Sequence, residues 1–316
     1  MAEQAPFRVA SAGTIWLEEN YYFPDVDLNS VPDDYSPPED RVHEITAGSS
    51  AFSFCRTLGG VGIHSTFFGV AGDPIEPRGD QLESLVSQER MITTHLIRQP
   101  GTTTGLSKNM TGKNGSHLMA ESGTANQAFS TETILLPLVE AARTADVLYA
   151  GGCLKLESFQ EGYRLLPDLI SETTRLVVDH GRIPKNLSPE LADAVKYLAL
   201  HANYYLPSED KKEEEFCTFW GVDTIEEGLW LLHQKAPNLT VVVKAGEQGA
   251  YYYDSNMGVV RVDALPVAHI TRRTGAGDNF NARFILEALA NNRPILEAIK
   301  KGHETAAAHI QGHSVR

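Results

Sequence analysis

In the second half of the chain, short apolar runs alternate with amphipathic stretches. Short apolar runs predict β-strands at 146–150, 175–179, 203–206 and 239–243. Amphipathic stretches predict helices around them at 131–143, 158–171, 189–199, 208–219 and 225–235. A β-hairpin and a final helix are expected at 251–253 with 259–262 and at 294–310. Strands that alternate with helices in this order predict an α/β fold with a mostly parallel sheet and helices on both faces.

The first half of the chain predicts the beginning of the same sheet and a long interruption. Two strands and two helices are expected, the strands at 7–17 and 63–70 and the helices at 47–58 and 81–89. The stretch 21–42 is rich in proline, which argues against a regular helix and predicts an excursion from the sheet. That excursion could be a lid, a dimer contact or a long loop. From 91 to 120 the pattern changes to short β-like runs separated by glycines.

Length and charge exclude several kinds of partner. The chain has 316 residues, which allows one large α/β domain or a domain with an appendage. Its 42% hydrophobic and 22% charged residues are ordinary for a globular protein. Its net charge of −14 disfavours nucleic acid, because proteins that bind the phosphate backbone are normally basic. The three cysteines form neither a metal motif nor a disulfide framework, and no apolar run is long enough to span a membrane. We therefore expect a cytoplasmic protein with no membrane contact and no protein-bound metal.

The segment 272–280 holds the main candidate chemistry. Its small residues lead into an amphipathic helix that is expected to begin near Gly277, with Asp278 in the first turn. A helix start offers free N–H groups and the positive end of the helix dipole, and glycines let a ligand approach the backbone closely. Asp278 could take a proton from a hydroxyl that attacks a bound phosphate, or it could only compensate the dipole.

Polar residues also follow or precede elements near the start of the chain. Glu18 comes directly after the first predicted strand, where open α/β sheets place ligands, although it could equally begin a solvated loop. Gly48 precedes a second helix, which Ser49 can cap, and this helix start is another possible site for a polar ligand. Lys108 is a candidate ligand contact among the β-like runs, or a residue of an exposed hairpin.

A third candidate place follows the β-branched run at 239–243. Lys244 ends this predicted strand, and Gly246 and Gly249 come directly after it. A cation and open backbone at the carboxyl end of a strand suit a phosphate, although a surface lysine in a turn has the same pattern. No P-loop motif, complete dinucleotide-binding motif or zinc-binding H-E-x-x-H motif occurs in the chain.

The segment Thr274-Gly275-Ala276-Gly277-Asp278-Asn279-Phe280 resembles the C-terminal signature of ribokinase-like carbohydrate kinases of the phosphofructokinase B type. Supporting matches come in the family's order and cover nearly the whole chain, at 13–18, 47–59, 69–73, 177–179 and 243–249. The resemblance implies a ribokinase-like three-layer sandwich as one domain over 1–316, with a small β lid formed by segments at about 18–45 and 92–120. It implies transfer of the γ-phosphoryl group of ATP to a sugar hydroxyl with Mg²⁺, and a possible homodimer through the lid.

The resemblance also implies roles for individual residues. Asp278 would be the base, and the backbone of Gly275, Ala276 and Gly277 would stabilise charge on the transferred group. The nucleotide would lie along Lys244, Gly246, Gly249 and Ser208, with His303 near the adenine. The sugar would contact Glu18, Gly48, Ser49, Phe52 and Lys108.

The sequence departs from the family pattern in four places. Glu18 stands where most members have Asp, and Phe52 stands where they have Asn. Arg272 replaces an Asp that helps many members hold a monovalent cation, and Arg273 replaces a Thr. Such an Arg pair could supply positive charge instead or bind an anionic substrate, so a monovalent cation is doubtful. The usual N-x-x-E appears at 208–211 as Ser-Glu-Asp-Lys.

These departures leave three functions open. The first is a carbohydrate kinase, and the second is a nucleoside or vitamin-precursor kinase of the same fold. The third is a catalytically weak paralogue that binds a nucleotide or a sugar. Phe52 suggests an acceptor that carries fewer hydroxyls or is partly apolar, because a phenyl ring cannot hydrogen-bond to a hydroxyl.

Overall fold

The structure is a computed structural model that describes residues 6–31, 35, 42–113, 116–209 and 215–313. Its strands are β1 (Arg8–Ala12), β2 (Trp16–Phe23), β3 (Val42–Gly48), β4 (His64–Ala71), β5 (Ile92–Arg98), β6 (Leu106–Gly112), β7 (His117–Ser122), β8 (Val147–Gly151), β9 (Arg175–Asp179), β10 (Tyr204–Tyr205), β11 (Thr240–Lys244), β12 (Ala250–Asp254) and β13 (Gly258–Val262). Its α-helices are α1 (Ser50–Gly59), α2 (Pro77–Ser87), α3 (Thr131–Ala142), α4 (Gln160–Leu169), α5 (Pro189–Leu200), α6 (Glu215–Trp220), α7 (Ile225–Lys235), α8 (Ala276–Ile285) and α9 (Ile295–Ile310). No helix of these described ranges combines the length and hydropathy needed to cross a membrane.

Nine strands form one large sheet in the order β13-β12-β11-β10-β9-β8-β1-β4-β5. Neighbouring strands from β11 to β5 are parallel, and the edge hairpin of β12 and β13 is antiparallel. Strand β8 is buried along its whole length, as expected for a parallel strand that is covered on both faces. One hydrophobic cluster joins the sheet to α3, α4, α5 and α7, and another joins it to α1, α8 and α9. The predicted three-layer α/β fold is confirmed.

A separate sheet of four strands has the order β3-β2-β6-β7. Side chains alternate along a strand, so the register decides which residues share a face. One face carries polar side chains, namely Glu18, Asn20, Thr46, Ser107, Asn109 and Thr111. The opposite face carries Tyr21 and Met110, which pack with Leu28 from the segment after β2. The small sheet therefore has one polar face and one mixed face, on which Glu19 and Lys108 lie beside these apolar side chains.

The predicted first strand at 7–17 is divided between the two sheets. Strand β1 ends at Ala12 in the large sheet, and β2 begins at Trp16 in the small sheet. A Cβ on Gly13 would lie 2.6 Å from the Ala51 Cβ and 2.7 Å from the Gly151 carbonyl oxygen. The chain thus passes from one sheet to the other at a point with no room for a side chain.

The predicted lid segment at 92–120 begins too early. Strand β5 pairs with β4 as the parallel edge strand of the large sheet, and β6 is the first strand of this segment in the small sheet. The pattern at 92–98 is misleading because an edge strand is exposed along one side and carries Thr, His and Arg. Residues 32–34 and 36–41 of the predicted segment 18–45, and 210–214 of the predicted helix 208–219, lie outside the described residues. Ser208 itself forms a β-bridge with Lys244, so that helix does not begin there.

Candidate active site

The start of helix α8 leaves backbone N–H groups open to a ligand. Gly275 precedes the helix in the left-handed conformation, with φ 87°, which glycine adopts without steric cost. The Ala276 N–H, one of the three predicted to stabilise charge, donates to the Arg273 carbonyl oxygen at 3.3 Å. Within the described ranges, the N–H groups of Gly277 and Asp278 have no protein acceptor. These two groups can therefore donate to a developing negative charge.

Two neighbouring helices hold the loop that precedes α8. The Asn279 side chain donates to the Gly275 carbonyl oxygen at 2.8 Å and accepts from the Thr57 hydroxyl of α1 at 2.9 Å. His309 of α9 bonds the Thr274 carbonyl oxygen through Nε2 at 2.8 Å. Burial lowers the pKa of His309 to about 4, so the imidazole is neutral and its Nε2 carries the donated proton. These hydrogen bonds hold the loop in place, which fixes the direction of its amide groups.

Asp278 is half-buried in the first turn of α8. Burial is the largest of the causes that raise its pKa to about 6, and the charges of Asp179 and Glu18 act in the same direction. The Lys244 ammonium and a hydrogen bond with Ser50 act in the opposite direction. A carboxyl group with this pKa is mostly ionised at pH 7, yet it binds a proton far more readily than an exposed Asp. This environment suits a general base.

Lys244, which was expected to lie along the nucleotide, is buried and bonded within the protein. Its Nζ donates to Asp179 Oδ2 at 2.8 Å, to the Leu206 carbonyl oxygen at 2.6 Å and to Asn281 Oδ1 at 2.9 Å. An ammonium group has three N–H bonds, and these contacts use all of them. The structure therefore does not place Lys244 as a direct phosphate contact.

The glycines after β11 differ in their surroundings. Gly249 has φ 95°, and a Cβ there would lie 2.0 Å from the Val262 carbonyl oxygen, so the fold itself requires this glycine. Gly246 has φ 54° and would have nothing within 4 Å of a Cβ, so it borders open space. Ser208 Oγ lies 3.7 Å from the Cβ position of Gly277. Ser208 thus lies where a ligand at the start of α8 could reach it.

His303 lies in α9, in a position that does not support a contact with adenine. Its ring packs edge-on against Phe280, with the centroids 5.2 Å apart, and it hydrogen-bonds to the Val262 backbone. Only 8% of the residue is exposed, and burial lowers the pKa of the ring. Its Nε2 has no partner in the described part of the chain.

A row of hydrogen bonds crosses the polar face of the small sheet. Ser107 donates to Asn109 Oδ1 at 3.1 Å, and Asn109 donates to Asn20 Oδ1 at 3.4 Å. Asn20 then donates to Thr46 Oγ1 at 3.2 Å, and Thr46 donates to Glu18 Oε2 at 3.4 Å. These side chains orient one another and present hydroxyl, amide and carboxylate groups on one surface.

Glu18 ends this row directly above Gly48. A Cβ on Gly48 would lie 2.1 to 2.3 Å from the carbon and both oxygens of the Glu18 carboxyl group, so only glycine leaves room for it. Burial raises the pKa of Glu18, whereas the guanidinium groups of Arg56 and Arg272 lower it. Glu18 and Gly48, both predicted at the substrate site, are therefore brought together.

Three other predicted substrate residues do not face the cleft. Ser49 caps α1, where its hydroxyl accepts from the Phe52 N–H at 3.1 Å. Phe52 is fully buried and packs edge-on against Phe67 with the centroids 5.2 Å apart, because the inner side of α1 faces the core. Lys108 lies on the face of the small sheet opposite the polar row, 3.9 Å from Glu19 Oε2. The expected substrate contacts of Phe52 and Lys108 are wrong.

The polar face of the small sheet meets the loop before α8. Arg272 of this loop forms an ion pair with Glu44 of β3. The Thr274 hydroxyl bonds His117 Nε2 of β7 at 2.9 Å. Burial lowers the pKa of His117 to about 4, with Arg273 contributing in the same direction. The small sheet and the helix start thus form the two sides of one polar cleft.

Several residues of this cleft were not predicted from the sequence. Asn281 follows Asp278 by three positions on α8, and the alternation of polar residues at 18 and 20 and at 107, 109 and 111 indicates one polar face. These two patterns could have predicted Asn281 and the row of hydrogen-bonded polar side chains on the small sheet. Asp179 ends the predicted strand 175–179 and lies in one of the family matches, but no local signal indicates its contact with Lys244, 65 positions further along the chain.

The described residues do not form a metal site of their own. No three His, Cys, Asp or Glu side chains of the described ranges converge as metal ligands. The Asp179 carboxylate is already engaged, because Oδ1 accepts from the Gly181 N–H and Oδ2 from Lys244 and Asn281. The Glu209 carboxylate accepts from the Cys217 N–H at 2.9 Å.

The three-layer α/β fold with a small second sheet is the fold of solved ribokinase-like structures. The sequence profile of the pfkB family carbohydrate kinases matches residues 22–316, and the chain belongs to this family. The resemblance inferred from the sequence is confirmed. No curated protein sequence matches the chain.

Solved structures share this fold. The PfkB protein from Polaromonas sp. JS666 is 22% identical over 97% of this chain and 96% of its own, with a TM-score of 0.74. Ribokinase from Arabidopsis thaliana, complexed with ribose and ATP, is 16% identical over 97% and 93%, with a TM-score of 0.69. An E. coli protein assigned as ribokinase II, in complex with ATP and Mg²⁺, is 17% identical over 98% and 94%, with a TM-score of 0.77.

Proposed function

We propose that the protein transfers the γ-phosphoryl group of ATP to a hydroxyl of a carbohydrate, with Asp278 as the general base. The observation that carries this proposal is the pairing of a carboxyl group, whose pKa is raised to about 6, with open amides in the same helical turn. Asp278 takes the proton of the acceptor hydroxyl, and the N–H groups of Gly277 and Asp278 donate to the transferred group. A base beside an anion hole is what in-line phosphoryl transfer requires.

ATP would occupy the side of the cleft near Ser208, with Gly246 along the nucleotide as the family resemblance implies. Gly246 borders open space, and the start of α8 directs N–H groups and the positive end of its dipole toward a phosphate. The structural neighbours complexed with ATP support a nucleotide at this fold, and one of them also holds Mg²⁺. Mg²⁺ bound together with the nucleotide would supply positive charge that offsets the negative charge of the phosphates. Asp278 remains the group of this chain that moves a proton.

The acceptor that fits the cleft is a polyhydroxylated molecule. The row from Ser107 to Glu18 offers donors and acceptors in sequence, which suits successive hydroxyls of a sugar. Phe52, which favoured an apolar acceptor, is buried in the core and gives no support to that alternative. We propose that the small sheet covers this acceptor as a lid, and that Glu18 binds one of its hydroxyls.

A screen for acceptor-dependent ADP formation tests this function. The acceptors should include neutral sugars, sugar acids and nucleosides, because Arg272 and Arg56 lie near Glu18 and could favour an anionic group. We expect ADP and a phosphate ester in equal amounts with at least one sugar or sugar acid, detected by mass spectrometry. Turnover of nucleosides alone would favour the nucleoside kinase. ATP binding without turnover of any acceptor would favour the catalytically weak paralogue.

A further inference from the structure

Lys244 and Asp179 meet across an intervening strand. Asp179 ends β9 and Lys244 ends β11, while β10 lies between them. The Lys244 ammonium crosses this gap to reach Asp179 Oδ2 at 2.8 Å and bonds the Leu206 carbonyl oxygen, which follows β10, at 2.6 Å. Both residues are at least nine-tenths buried, with exposed fractions of 8% and 4%. The pair is therefore a fixed part of the carboxyl edge of the sheet.

Asn281 connects this pair to the helix that carries Asp278. Asn281 Oδ1 accepts from Lys244 at 2.9 Å, and its Nδ2 donates to Asp179 Oδ2 at 2.7 Å and to the Tyr149 hydroxyl at 3.1 Å. Residues three apart lie on the same side of a helix, so Asp278 and Asn281 face the same region. A Cβ on Gly277 would lie 3.6 Å from Lys244 Cε and 3.7 Å from Nζ. Lys244 thus lies directly behind the first turn of α8.

We propose that Lys244 is a positioning residue for Asp278, a buried positive charge that Asp179 and Asn281 hold behind the start of α8, and that it is not a nucleotide ligand. This inference rests on the proposed function, because it assigns Lys244 a task only if Asp278 is the base. The structural observation behind this inference is that all three N–H bonds of the Lys244 ammonium donate to protein atoms.

The direction in which Lys244 shifts the protonation of Asp278 follows from the charges that face Asp278. Asp179 on β9 and Glu18 on β2 disfavour its ionised form, whereas Lys244 on β11 and the Ser50 hydroxyl on α1 favour it. Tyr149 on β8 stays neutral, because burial and the nearby acids raise the pKa of its phenol well above the usual value. Loss of Lys244 should therefore make Asp278 hold its proton to higher pH, and loss of the Asp179 charge should do the opposite.

The test measures the titration of Asp278 directly and needs no substrate. The protein is labelled with ¹³C at the aspartate carboxyl carbons, and the Asp278 resonance is assigned as the one that disappears in Asp278→Asn. In Lys244→Met we expect its midpoint to rise by about one pH unit or more, and in Asp179→Asn to fall by a similar amount. The exposed control Lys300→Met should leave the midpoint unchanged. An unchanged midpoint in Lys244→Met overturns the proposal.

Two further measurements keep the outcome decisive. Removing one partner of a buried ion pair can unfold a protein. If Lys244→Met does not fold, Asp179→Asn alone decides, and an unchanged or raised midpoint of Asp278 in that variant overturns the proposal.

The affinity of Lys244→Met for ATP should stay within about threefold, since no N–H of Lys244 faces a phosphate. A loss of about a hundredfold, as expected for a lost contact to a charged phosphate, would make Lys244 a nucleotide ligand. A wild-type protein that turns over no acceptor would refute the proposed function, while the titration would still show whether Lys244 controls Asp278.

Discussion

At the scale of the residue, the surroundings of Asp278 distinguish a base from an ordinary N-terminal acid. Burial and two nearby carboxylates raise the pKa of Asp278 to about 6, although a lysine lies on the other side of the same turn. An acid that only compensated a helix dipole would be stabilised in its ionised form and would have a lowered pKa. The protein instead keeps a proton acceptor that becomes ionised just below neutral pH.

This raised pKa predicts a cost in stability that depends on pH. The folded protein binds the Asp278 proton more tightly than the unfolded chain does, so the free energy of unfolding increases as the pH falls through about 6. Asp278→Asn removes the ionisable group, so we expect a higher melting temperature than wild type at pH 8 and a clearly smaller advantage at pH 5, because the difference vanishes only below the ordinary Asp pKa of 3.8. Scanning calorimetry at both pH values measures this difference, with Asp168→Asn on the exposed side of α4 as the control. A melting temperature at pH 8 that is equal to or below that of wild type would contradict the assignment.

At the scale of the element, the contact between β2 and the end of β3 places Glu18 in the cleft. The carboxyl group of Glu18 occupies the space that a Cβ on Gly48 would fill, and Thr46 donates to it from the neighbouring position of the sheet. A long acid fits here only because a glycine lies opposite. The departure at Glu18 and the glycine at position 48 therefore have a single geometric explanation.

Gly48→Ala should change acceptor binding without unfolding the sheet. The new methyl group would displace the end of a flexible side chain rather than backbone, so the melting temperature should change little. We expect the KM for the acceptor to rise about tenfold or more, as it should in Glu18→Gln, while the KM for ATP stays the same. Steady-state kinetics of the two variants make this comparison. If Gly48→Ala left the acceptor KM at the wild-type value, Glu18 would not be a substrate contact.

At the scale of the whole molecule, the sequence predicts the layers well and the meeting of distant residues poorly. Strands such as β8 and β9 were predicted because they are buried on both faces and are therefore continuously apolar. The edge strand β5 was assigned to the lid because its exposed side carries polar residues. The hydrophobic period of an element indicates which of its sides are buried. It does not indicate which sheet the element joins.

Some features of the site could likewise be predicted from neighbouring residues, whereas others depend on contacts between distant parts of the chain. Asp278 and its glycines lie within one turn, so the local pattern could predict the helix start. Phe52 was assigned from its place in a motif, but the rotation of α1 directs its ring into the core. The contacts of Lys244 depend on β9, β10 and α8, which meet only in the folded chain. The homodimer through the small sheet stays a prediction.

The kinetic effect of Asp278→Asn is the most direct test of the central claim that Asp278 is the general base. With an acceptor from the screen, we expect kcat to fall by about a hundredfold to ten thousandfold, while the Kd for ATP stays close to that of wild type. In the wild-type protein, kcat/KM should decline as the pH falls below about 6, because the base must be ionised to accept a proton. A variant that keeps kcat within tenfold of wild type and retains this decline would show that another group removes the proton.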